Sequence, residues 1–138
     1  MARPLVGAIV GAACGVAGSV FLGQVAGEQN FVATTMPGAI ALGALLGWCV
    51  GRLGRLRLLA ALSLGPLAAF CNAPLSGFVD WAAGDPMHLG VRHGPLGTIS
   101  DGLLGAMILS RLIFLVGLVA GIAVFFATRQ SKTKTIER

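Results

Sequence analysis

The polar chemistry of this 138-residue chain is gathered in one stretch. Between Asp80 and Asp101 lie Trp81, Asp85, His88, Arg92 and His93. Two imidazoles and three carboxylates are the donor types that bind a transition metal or a polar ligand. His88 and His93, however, stand five positions apart, which on a helix separates them by about 140°. They can share a metal only from a loop, and Asp85-Pro86 and Gly94-Pro95 read as turn punctuation rather than as a ligand motif. No metal site is favoured, and His88 and His93 are the candidates were there one. The simpler arrangement is a folded cap, with Trp81 at the interfacial aromatic belt and Arg92 or Arg111 paired with Asp80 or Asp101.

Arg111 is the one charge that can fall inside a bilayer, where a charge is a functional hypothesis by default. It stands 18 residues before Arg129, roughly 27 Å along a helix, which matches the apolar thickness and predicts an outer-interface position. On one helix Asp101 and Arg111 would be about 80° apart and poorly placed to pair.

No catalytic residue emerges. Ser63, Ser76 and Ser100 lack a nucleophile-elbow context. Cys14, Cys49 and Cys71 sit in apolar stretches with no C-x-x-C pair, which suits small buried side chains rather than disulfides or thiolate ligands. Several small four-span classes are argued against by their missing marks. The first apolar segment has no carboxylate of the kind drug–proton exchangers need, the cysteines are not paired as in quinone-linked disulfide enzymes, and there is no tyrosine for membrane glutathione chemistry. The threonine, phenylalanine and serine run of fluoride channels is absent too. No cofactor is expected.

The elements that carry these residues are apolar. Hydrophobic residues make up 56% of the chain and charged ones 11%, against roughly 25% charged in a soluble domain, so the expected class is an integral membrane protein. The formal charge of +5 sits mostly in Arg52, Arg55 and Arg57 and in the tail of Arg129, Lys132, Lys134 and Arg138. No basic face interleaved with aromatics accompanies it, so nucleic acid is not an expected partner.

Four apolar segments are readable at 5–26, 31–51, 58–79 and 112–128. The last helix is expected to begin at Ser100-Asp101 and to cross the membrane over about 108–128. The third contains Gly65-Pro66, Asn72 and Pro74. Pro66 predicts a kink near Leu62, and a re-entrant half-span is the rival reading. Charge placement favours four full spans. Arg3, the Arg52–Arg57 cluster and the tail 129–138 would then be cytoplasmic, while 80–99 forms an outer loop. The expected architecture is therefore an all-α, single-domain (1–138) bundle of four transmembrane helices with a kinked third helix. It would lie in a cell membrane of the bacterial inner-membrane type, both termini cytoplasmic, with the first segment a mature span and not a cleaved leader.

Small residues recur at every fourth position along these segments. Gly7, Gly11, Gly15, Ser19, Gly23 and Gly27 form one row; Ala39, Gly43, Gly47 and Gly51 form a second; Gly117 and Gly121 add a short third. Glycine inside a soluble helix costs about 1 kcal/mol against alanine, whereas in a bilayer small-xxx-small rows let backbones approach closely. Each four-residue step overshoots a turn by about 40°, so the first row drifts by about 200° and cannot face one straight partner throughout. The pattern GAIVGAACG, a short polar turn, then GAIALGALLG resembles the glycine-zipper hairpin of small bacterial membrane proteins. The resemblance covers about residues 7 to 51, a third of the chain, and implies helix packing and oligomer formation rather than a chemistry. The lipoproteins of that type carry an acylated cysteine for which this chain shows no motif. The leading functional expectation is a structural or accessory membrane subunit that packs through its glycine faces, against itself or within a larger membrane complex. The alternatives are a small oligomeric channel or transporter, and a metal- or cofactor-binding protein using the outer loop.

Overall fold

A computed structural model describes residues 2–27, 29–83 and 94–130. They form five helices: α1 (Arg3–Ala26), α2 (Gln29–Arg52), α3 (Arg57–Ala82), α4 (Pro95–Ile108) and α5 (Ser110–Gln130). Among the described residues the fold is all-α. Four stretches, Arg3–Ala26, Val32–Arg52, Arg57–Val79 and Ser110–Gln130, have the length and hydropathy to cross a membrane.

Local chemistry sets the helix boundaries. Pro4 opens α1, where its missing N–H breaks no helical bond. Gly27 closes it in the left-handed region at φ 72°, its N–H donating to the Gly23 carbonyl at 3.0 Å. A Cβ at Gly27 would meet nothing within 4 Å, so this glycine belongs to the turn and not, as its place in the row suggests, to a packing face. Between α2 and α3, Arg57 Nε donates to the Gly54 carbonyl at 2.9 Å and stiffens the short link. Helix α3 runs unbroken through Pro66 and Pro74.

The last apolar region differs from expectation. Its helix begins at Pro95 rather than at Ser100, because Gly94-Pro95, read as turn punctuation, is also a helix start with proline in the first turn. Thr98 Oγ1 donates back to the Pro95 carbonyl at 3.0 Å in that turn. The helix then stops at Leu109 and resumes at Ser110, so the expected single long helix is two.

Helix α3 is the hub. Helices α1 and α2 share the most extensive interface, α3 packs against α2, α4 and α5, and α1 also touches α5; α4 contacts α3 and, weakly, α5. The fully interior apolar cluster is small: Leu46, Val50, Ala61 and Val124, flanked by Val10, Ala60, Leu64 and Phe125. Large side chains such as Leu45, Leu59, Phe114 and Val119 point outward. That inversion, small residues inside and large apolar ones outside, is how a bundle in lipid packs, since lipid is as apolar as leucine.

Candidate functional site

The glycine rows face each other inside one chain. Gly7 lies opposite Gly47, Gly11 opposite Gly43, Gly15 opposite Ala39, and Gly51 against Arg3 and Pro4. A Cβ at any of these glycines would meet the partner backbone, so α1 and α2 form an antiparallel seam of direct main-chain contact. Beside the row, on an adjacent face of α1, Gly18 approaches α5: a Cβ there would lie 2.8 Å from Val116. Ser19 and Gly23 are buried further along the helix.

A second seam joins α3 to α5, where Gly65 faces Gly117 and Ala61 faces Gly121. A third joins α3 to α4, with Gly77 against Thr98 and Gly102 against Ala73. Sequence reasoning missed the row behind both. Ala61, Gly65, Ala69, Ala73 and Gly77 recur at every fourth position, but the prolines beside them drew the reading toward a break. Had α4 continued the register of α5, Gly102 would face position 80 of α3. It faces Ala73, seven residues or about 10 Å nearer the bundle middle. The break at Leu109 thus draws α4 back along α3.

Between the seams lies a half-open cavity of about 70 Å³, bordered by α1, α2, α3 and α5. Its lining is mostly glycine, alanine and leucine, with three heteroatom-bearing side chains, Cys14, Ser19 and Asn72. Ser19 is 3% exposed, and its Oγ has no hydrogen-bond partner. Asn72 donates from Nδ2 to the Thr35 carbonyl at 3.1 Å, which ties α3 to α2, while its Oδ1 is buried without a partner beside Gly38. The sequence offered a signal for this site, polar residues inside uncharged segments, but it was absorbed into the glycine row for Ser19 and into the broken-span reading for Asn72.

Basic residues gather at one end. Arg57 Nη1 reaches the Thr128 carbonyl at 3.4 Å, joining α3 to the end of α5 just before Arg129. Thr128 is fully buried, lies near Gly7, and its Oγ1 donates to the Val124 carbonyl at 2.9 Å. With Gly51 against Arg3, this brings Arg3, Arg52, Arg57 and Arg129 to the same end of the bundle. The Arg52 guanidinium lies 5.1 Å over the Trp48 ring, a cation–π contact.

The described members of the expected outer-loop chemistry, Trp81, Asp101 and Arg111, do not line this cavity. Asp85, His88, Arg92 and His93 lie outside the described residues, as does the side chain of Asp80. Trp81 is partly exposed and stacks at a tilt on Phe78, ring centroids 5.7 Å apart. Asp101 is exposed on α4 and Arg111 is exposed on α5, so the angular argument about one helix does not apply to them. Among the described residues no group of three or more His, Cys, Asp or Glu stands close enough to hold a metal ion.

Four long apolar helices make this a multi-pass membrane protein. Comparison of the chain with family models, with curated proteins and with solved structures returns no match.

Proposed function

We propose that the protein is a structural or accessory integral-membrane subunit, a four-span bundle with both termini cytoplasmic, that joins a larger membrane complex through α4. The carrying observation is the uncovered face of that helix. Apart from its join to α5, α4 packs on α3 alone, and Leu96, Met107 and Ile108 are the most exposed large apolar side chains of the described residues, at 81%, 73% and 83%. The α1 and α2 glycine rows are spent on each other, so α4 rather than those rows is assigned the partner contact. The common end of Arg3, Arg52, Arg57 and Arg129 supports the orientation, since basic residues favour the cytoplasmic side.

The test is native mass spectrometry of the protein purified from its own membrane in mild detergent. The expected spectrum contains a stoichiometric larger partner that is lost from the Met107→Arg variant. A protein that runs free of other chains overturns the accessory reading.

A second reading, a small channel or transporter acting as an oligomer, is favoured by the interhelical cavity. Its other supports are weaker in the folded chain, because Arg111 is exposed on the bundle surface and α3 is continuous. Proteoliposome flux that survives Arg111→Ala and is lost on filling the cavity with Ala120→Leu is its expected signature. Metal analysis of the same preparation tests the remaining alternative at His88 and His93.

A further inference from the structure

We propose that the cavity between α1, α2, α3 and α5 is a binding site for a small uncharged hydrogen-bonding molecule, anchored by Ser19 and Asn72. The inference concerns the occupancy of the interior and stands apart from the partner reading above.

Purely apolar cavities stay dry, whereas polar ones large enough for water hold it against otherwise unsatisfied groups. This cavity has both the room and the groups. A water occupies about 30 Å³ in the liquid, so about 70 Å³ holds roughly two waters or one solute of a few heavy atoms.

Ser19 is the sharper of the two anchors. Four other hydroxyls of the spans and of α4 close on their own helix: Ser63 donates to the Leu59 carbonyl, Ser76 to Ala73, Thr98 to Pro95 and Thr128 to Val124. Ser19, 3% exposed, makes no such bond. A hydroxyl both buried from lipid and unused by its helix is left with the cavity it lines. Asn72 supplies the complement. Its Nδ2 must face the Thr35 carbonyl, because only a donor is acceptable there, and this fixes Oδ1 as the free acceptor. Oδ1 lies close against Gly38, where an added side chain would collide with it. The site therefore presents one hydroxyl, able to donate or accept, and one carbonyl acceptor. No charged side chain lines it, and so the ligand it suits is neutral, with at least one N–H or O–H.

The test uses the full-length protein in lipid bilayers, with water itself as the probe. Water-edited solid-state NMR is expected to transfer polarisation from water to the side chains of Ser19 and Asn72 as readily as to exposed Asp101. Ser19→Ala, a mild change at a helical position, is expected to cut the transfer to Asn72 at least twofold, and Ala120→Leu to abolish it by filling the space. The wild-type spectrum decides the matter without any variant. Transfer to Asp101 with none to Ser19 or Asn72 means a dry cavity and overturns the proposal, and transfer to Asn72 unchanged in Ser19→Ala overturns the anchoring role of the hydroxyl.

Discussion

Gly11→Ala asks whether the α1–α2 seam holds the bundle together by main-chain contact. The new methyl would overlap the Gly43 carbonyl and lie 2.7 Å from its carbon and 3.3 Å from the Gly47 nitrogen, whereas ordinary contact begins near 3.4 Å. Because the obstacles are backbone atoms, no side chain can rotate aside, and since the carbonyl oxygen lies nearer still than its carbon the helices must part by more than about 1 Å at that level. A gap of about 0.5–1 Å forfeits roughly a quarter to a half of each dispersion contact, and overpacking of a close-fitted interior costs about 1–3 kcal/mol. Helix propensity works the other way, since alanine gains up to about 1 kcal/mol over glycine. The steric term is the larger, and the expected net loss is about 1–2 kcal/mol. Gly105→Ala in α4 is the control, because a Cβ there meets nothing within 4 Å and propensity alone should act, leaving stability equal or up to about 1 kcal/mol higher. The assay is reversible unfolding from mixed micelles, followed by the helical circular dichroism signal. A Gly11→Ala protein as stable as wild type, or a Gly105→Ala protein destabilised to the same degree, refutes the backbone-contact account.

Further outcomes test other parts of the fold. Gly27→Ala forces a side chain into the left-handed region at φ 72° and is expected to cost about 1–2 kcal/mol in the same assay, with Gly27→Asn costing less. In a cysteine-free background, the pair Ala73→Cys and Gly102→Cys is expected to form a disulfide on mild oxidation, since α4 is drawn back along α3; efficient cross-linking of Gly102→Cys to position 80 instead would mean that α4 continues straight from α5. Reporter fusions at the two ends are expected to place both in the cytoplasm, and an outward C-terminal reporter would remove the four-span orientation.

The sequence by itself determined the class and the material of the protein. Its uncharged segments are long enough for the bilayer, and the rows at Gly7–Gly23, Gly43–Gly51 and Gly117–Gly121 announce close helix contact, because both signals are local and periodic along one helix. The same local reading misplaced Gly27, whose four-residue spacing fits the row but whose left-handed turn conformation takes it out. It also overlooked the row from Ala61 to Gly77, where Pro66 and Pro74 were the louder signal. Tertiary structure alone decided which rows meet. A small-residue face is equally suited to a neighbouring helix, a second copy or another protein, and only the antiparallel register that places Gly11 against Gly43 and Gly65 against Gly117 makes the choice. It likewise decided that the helix breaks at Leu109 with a shift of register along α3, and that Ser19 and Asn72, 53 positions apart in sequence, line one cavity. A periodic pattern states which side of a helix is smooth, but the partner of that side, and the gaps left where two smooth sides meet a third, are properties of the assembled bundle.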